Sequence, residues 1–165
     1  MPTFRHLLCA ALAAASLLPG LAAAEPATIY LVRHAEKMAG GKDPDLTPQG
    51  RLRAQHIAAI LRRAGITAIF STPTARTRQT AAPLAAQTGL GVQIYDPHAP
   101  KALVEKVRAL NGAVVVVGHS NTLPELVSLF GGAPGSEIGD DEFDRLYLLL
   151  PGATGQVRTI LLGTP

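Results

Sequence analysis

Thr28-Ile29-Tyr30-Leu31-Val32-Arg33-His34-Ala35-Glu36-Lys37 is the stretch on which the reading of this chain turns. Ala27 to Val32 is a continuous apolar run, the pattern of a strand buried on both faces. It ends abruptly in Arg33-His34. A permanently charged side chain and a titratable one therefore stand together where a buried strand stops. Charge there is costly unless an anion comes to meet it.

Working outward, strand and helix signals alternate. Met38 to Leu46 is a loop, with Gly40-Gly41 and Asp43-Pro44-Asp45 as turn signals. Thr47-Pro48 supplies an N-cap followed by proline at the first helical position. Ala54, Ile57, Ala58 and Leu61 then form the stripe of an amphipathic helix that Gly65 ends. Thr67 to Phe70 is a short second strand. Ser71-Thr72-Pro73-Thr74 turns into a second helix, with Ala81, Leu84, Ala85 and Thr88 on one face and Gly89 and Gly91 at its close. Val92 to Tyr95 is a third strand, followed by the loop Asp96 to Pro100. Leu103, Val107 and Leu110 stripe a third helix that stops at Asn111-Gly112.

Ala113 to Val117 is the clearest buried strand, and it runs into Gly118-His119-Ser120. Leu123, Leu126, Val127 and Phe130 mark a fourth helix. Gly131 to Gly139 is a loop, and Asp140 to Asp144 reads as a solvated acidic run. Leu146 to Leu150 and Val157 to Leu162 are two last strands with no helix between them, which predicts an antiparallel hairpin. The alternation predicts one three-layer α/β domain, a mainly parallel sheet with helices on both faces.

The 165 residues include an N-terminal segment with the pattern of an export signal. Arg5 is its positive end, Leu7 to Leu18 its apolar centre, and Ala22-Ala23-Ala24 a small-residue cleavage site. The apolar centre is shorter than the roughly 20 residues of a membrane span. Cleavage after Ala24 leaves a domain of residues 25–165 without a stable membrane anchor, exported and expected in a periplasm. The only cysteine, Cys9, lies in that leader, so the remainder has neither disulfides nor thiolate chemistry. The formal charge is +3, too weak to indicate nucleic acid, and the basic residues have no interleaved aromatics of the kind that stack bases. A Gly-x-Gly-x-x-Gly or P-loop motif is absent, which counts against nucleotide binding. The histidines outside the leader lack zinc-ligand spacing, so no metal and no cofactor are expected.

Polar residues gather just past the carboxyl ends of the strands, where open α/β sheets bind ligands. Arg33 and His34 follow the first strand, Ser71, Arg76 and Arg78 the second, and His119 the fourth. Helix amino termini converge on the same rim and favour anions. Arginine forks match phosphate oxygens. Nearby cations keep a histidine neutral, and a neutral imidazole is a competent nucleophile. Phosphoryl transfer asks mainly for positioning and for positive charge around the equatorial oxygens.

These segments resemble the motifs of the histidine phosphatase superfamily, the phosphoglycerate mutase-like fold. Leu31 to Glu36 is similar to its Arg-His-Gly signature, with Ala35 in place of the glycine. Leu46-Thr47-Pro48-Gln49-Gly50 resembles its Leu-Thr-Pro-x-Gly segment. Ser71 to Ala81 resembles its Ser-x-x-x-Arg-x-x-Gln-Thr-Ala segment with one extra residue, and Val117-Gly118-His119 its second histidine motif. The resemblance implies that His34 takes up the phosphoryl group as a phosphohistidine. Arg33, Arg76 and His119 would bind the phosphate and stabilise the transition state, and water would then release it. Arg76 is preferred to Arg78 because Thr80 stands four positions later, as in the family pattern.

The acid-bearing insertion of many members is missing, and Ser120 replaces the aspartate that one branch has after the second histidine. Asp96, Glu125 and Glu36 are the candidate proton donors, unless there is none. Compactness and the missing insertion are features shared with the small phosphohistidine phosphatases. His56 is read as structural, His98 as a surface residue of a Pro-bounded loop, and Arg78 as part of a solvated helix face. The expected activity is a metal-independent phosphatase acting on a phosphorylated small molecule or envelope component. The alternative is a phosphate-binding module of the same fold without turnover. A phosphomutase is disfavoured, because the chain lacks the insertions that would enclose a sugar phosphate. Neither the substrate nor the oligomeric state is written in the sequence.

Overall fold

A computed structural model describes residues 27–152 and 154–165; the leader and its cleavage site lie outside the described residues. Ten elements follow one another: β1 (Thr28–Arg33), α1 (Pro48–Leu61), β2 (Ile66–Ser71), α2 (Ala75–Thr88), β3 (Val92–Ile94), α3 (Pro100–Arg108), β4 (Ala113–Gly118), α4 (Leu123–Leu129), β5 (Arg145–Pro151) and β6 (Val157–Gly163). The six strands form one sheet in the order β3-β2-β4-β1-β5-β6. β1 runs parallel to β4, and β2 parallel to both β4 and β3. β5 lies antiparallel to β1, and β6 antiparallel to β5. The expected mainly parallel sheet with an antiparallel C-terminal hairpin is the one observed.

Alternation along the central strands divides the core into two layers. Ile29 and Leu31 of β1, with Val114 and Val116 of β4, pack against Leu103 and Val107 of α3 and Leu126 and Val127 of α4. Val32, Val115 and Val117 point to the other face and pack against Ile57, Ala58 and Leu61 of α1 and Ala81 and Leu84 of α2. Covering on both faces is why β1 and β4 read as unbroken apolar runs rather than alternating ones. β4 is buried along its whole length.

The helix ends follow the punctuation. Thr47 caps α1 by accepting the Gly50 amide at 3.0 Å, with proline in the first turn behind it. Gly89 closes α2 in the left-handed conformation, with φ of 71°. The first turn of α2 has no cap from its own Thr74. Its Ala75 amide instead donates to the Asp43 carboxylate at 2.9 and 3.0 Å, so the loop after β1 caps the helix after β2.

Candidate active site

Register alone brings the two histidines together. Arg33 and Gly118 are partners at the ends of the neighbouring parallel strands β1 and β4. The next residues, His34 and His119, leave the sheet side by side, and the His34 amide donates to the Gly118 carbonyl at 2.9 Å. Their rings lie edge to face with centroids 5.4 Å apart. β2 borders β4 on the other side and delivers Thr72 and, on the first turn of α2, Arg76. Thr72 Oγ1 is 3.0 Å from His119 Nε2. An open cavity of about 400 Å³ is lined by Arg33, His34, Arg76 and His119. The four residues singled out from the sequence therefore share one rim.

His34 Nδ1 lies 2.8 Å from the Ala35 carbonyl oxygen. A carbonyl only accepts, so the neutral ring carries its hydrogen on Nδ1 and its free lone pair on Nε2. Burial pushes the His34 imidazole down from 6.5 to about 4. The Ala35 hydrogen bond opposes this, and His119, Arg33 and Arg76 reinforce it. His119 is likewise pushed down to about 4, by burial and then by Arg76 and Arg33. Both rings are neutral at neutral pH.

The arginines are fixed on one side and open on the other. Arg33 is only 5% exposed. One Nη donates to the carbonyls of Gly139 and Glu142 at 2.7 and 2.8 Å, and the Phe143 ring covers the guanidinium at 4.2 Å. An Nη of Arg76 lies 3.5 Å from the Asp43 carboxylate. The Nε of Arg33 and the Nε of Arg76 are buried and have no hydrogen-bond partner among the described residues. A buried donor left unpaired costs about 1–3 kcal/mol. Both arginines line the cavity, and two guanidinium groups there fit an oxyanion.

The motif residues around the rim have mechanical roles. A Cβ on Gly50 would lie 2.1 Å from the Glu36 carbonyl oxygen, so only glycine lets α1 approach the segment after His34. The Ala35 amide donates to Thr80 Oγ1 at 3.0 Å, and that hydroxyl donates to the Arg76 carbonyl at 2.8 Å. Gln79 accepts the Leu46 amide at 2.8 Å and donates to Asp45 at 2.6 Å. Ala35 has no positive φ, which accounts for its standing where the family signature has glycine.

Other expectations change. Ser71 does not reach the rim: it is fully buried, and its hydroxyl donates to the Thr72 carbonyl at 2.9 Å. Arg78 is exposed and away from the cavity, as expected of a solvated face. His56 lies 3.4 Å from the Pro165 carbonyl, also away from it. His98, read as surface, is exposed but lines the cavity wall. None of the three candidate acids lines the cavity. Asp96 accepts the His98 amide at 2.9 Å. Glu36 is held by the Arg53 fork at 2.8 Å, which outweighs its burial and keeps the carboxyl below its ordinary range. Glu125 is exposed on α4.

The acidic run after Gly139 is not merely solvated. Its backbone carbonyls hold Arg33, Phe143 also lies 6.0 Å from the His34 ring, and Asp140 lines the cavity. The signal that could have flagged it is a lone aromatic inside an acidic run, but nothing local says that it folds back on the end of β1. Among the described residues, no group of three or more His, Cys, Asp and Glu is placed to hold a metal ion.

Parallel strands that aim a histidine pair and two arginines at one rim define a phosphoglycerate mutase-like domain. Residues 29–97 match the family model of the histidine phosphatase superfamily (branch 1). Probable phosphoglycerate mutase GpmB of Escherichia coli is 33% identical over 104 residues, 59% of this chain and 44% of that protein. The chain thus spans less than half the length of the curated relatives it matches. Among solved structures, the protein histidine phosphatase SixA complexed with tungstate superposes with a TM-score of 0.66 at 16% identity, over 84% of this chain and 97% of that one. A mycobacterial glucosyl-3-phosphoglycerate phosphatase does so with a TM-score of 0.63 at 17% identity, over 84% and 98%. At such identities the likeness is one of fold.

Proposed function

We propose that this protein is a metal-independent phosphatase that hydrolyses a phosphomonoester or phosphoramidate through a phosphohistidine on His34. The observation that carries the reading is the pair of arginines, Arg33 and Arg76, that line the cavity with His34 and His119. They would grip two phosphate oxygens, while His119, steadied by Thr72, contacts a third. His34 Nε2, held neutral and oriented by the Ala35 carbonyl, attacks phosphorus. The positive charge of the two guanidinium groups stabilises the equatorial oxygens as the leaving group, an ester oxygen or an amide nitrogen, departs. Water then attacks the phosphohistidine, and His34 leaves as the neutral imidazole. The name of one superposed structure, a glucosyl-3-phosphoglycerate phosphatase, is compatible with a phosphorylated small molecule as substrate.

The test is phosphate release from an activated aryl phosphate in EDTA, with His34→Ala as control. Release by the wild type and none by the variant is the expected result; undiminished release by His34→Ala would sink the nucleophile assignment. Binding of phosphate without any turnover would leave a recognition module instead. The name of the Escherichia coli relative favours a second reading, a phosphoglycerate mutase, which detection of an isomerised phosphoglycerate would support. On the pattern of Arg5, Leu7 to Leu18 and Ala22 to Ala24, we also propose export, checked by finding Glu25 at the N-terminus of the secreted protein.

A further inference from the structure

We infer that Asp140 is the proton-transfer residue of this site and that it suits the site to phosphomonoesters of simple alcohols. The inference rests on the phosphatase reading above. Asp140 is the one carboxylate among the described residues that line the cavity with His34, His119, Arg33 and Arg76. Its loop is held on the phosphate clamp itself, through the Gly139 and Glu142 carbonyls on Arg33 at 2.7 and 2.8 Å. Arg145 fixes the loop from behind, donating to the Ser136 and Glu137 carbonyls at 2.7 and 2.9 Å and pairing with Glu142.

Direction decides the role. In-line transfer puts nucleophile and leaving oxygen on opposite sides of phosphorus. His34 is 3% exposed and forms the floor, so the leaving group must depart toward the mouth. Asp140 is exposed there.

In the first step His34 Nε2 bonds to phosphorus, the P–O bond to the alcohol breaks, and the Asp140 proton passes to the departing oxygen. In the second step a water oxygen bonds to phosphorus, the P–N bond breaks, and a proton of that water returns to the Asp140 carboxylate. Phosphate leaves and the starting state is restored. An alkoxide is too basic to depart unprotonated, whereas a dinitrophenolate needs no acid. His98 is the other proton carrier at the mouth, but its turn, unlike the Asp140 loop, has no bond to Arg33 among the described residues.

The experiment compares kcat/KM for an alkyl phosphate and for 2,4-dinitrophenyl phosphate in wild type, Asp140→Asn, Asp141→Asn and His98→Asn. The expected result is a loss of about 100- to 1000-fold for the alkyl ester in Asp140→Asn, with less than about threefold for the dinitrophenyl ester and no change in Asp141→Asn. An equal loss on both esters, no loss, or a graded loss only in His98→Asn overturns the assignment. If Asp140→Asn no longer gains thermal stability from inorganic phosphate, Asp140→Glu decides: partial recovery of alkyl-ester turnover upholds the role, and none overturns it. A wild type that releases phosphate from neither ester defeats the phosphatase reading itself, and the assignment with it.

Discussion

His34 and His119 are both held neutral by burial, which the neighbouring arginines reinforce, against the weaker pull of the Ala35 carbonyl on His34 and of Asp43 on His119. The unfolded chain takes up protons at both rings below 6.5, whereas the folded chain does so only near 4. Their contribution to stability is therefore complete above pH 6.5 and is lost as the pH falls toward 4. Urea unfolding should show a lower midpoint at pH 4.5 than at pH 7.5, corresponding to an unfolding free energy smaller by on the order of a few kcal/mol. A His34→Ala, His119→Ala double variant should flatten that slope, and an unchanged slope would mean that the rings are not held neutral. Arg33 makes a second prediction. Lysine keeps the charge but has no fork to satisfy both the loop carbonyls and a phosphate oxygen. Arg33→Lys should thus raise the Kd for inorganic phosphate by about tenfold or more, read by calorimetry. At this scale the sequence was most legible: Arg33 ends β1, His34 and His119 directly follow β1 and β4, and Arg76 stands on the first turn of the helix after β2.

The elements show why short sequence signatures take the form they do. Gly50, Gln79 and Thr80 touch no part of the cavity, yet they clamp the segments that carry His34 and Arg76. Gly50→Ala must push its helix off the Glu36 carbonyl, 2.1 Å from the added carbon. A destabilisation of about 1–3 kcal/mol follows, measurable in urea, with a rise in the exchange rates of the Glu36 and Thr47 amides. Thr80→Val leaves the buried Ala35 amide unpaired and should cost a similar about 1–3 kcal/mol. Strands and helices were readable because their periodicities are local. The destination of the segment after Gly131 was not: Asp140 to Phe143 carries no period, and its contact with Arg33 bridges distant parts of the chain. The three candidate acids lie off the cavity wall, and for two of them the reason is likewise non-local. Proximity in sequence to a strand end says nothing of which partner, Arg53 for Glu36 or the His98 amide for Asp96, already holds the side chain.

Across the whole molecule, the rim is as secure as the loop that walls it. Arg145 joins β5 to that loop through Ser136, Glu137 and Glu142. Arg145→Met should therefore speed hydrogen exchange at residues 136–143 and leave β1 and β4 protected, whereas equal exposure of both regions would mean that the loop and the sheet open together. A second apolar cavity, walled by Ala27, Ile29, Val107 and Phe130, has Arg108 as its one charged residue and no histidine among the described residues, so it offers no comparable chemistry.

The strand order carries a last consequence, for folding. β4 lies between β1 and β2, although both precede it in the chain. Until it inserts, His119 has no neighbour, the arginines flank a gap, and no pair of strands alone can recognise phosphate. On the phosphatase reading proposed above, phosphate affinity requires the closed sheet, so inorganic phosphate should raise the melting temperature of the folded chain by mass action, and the His119→Ala variant should lose much of that gain.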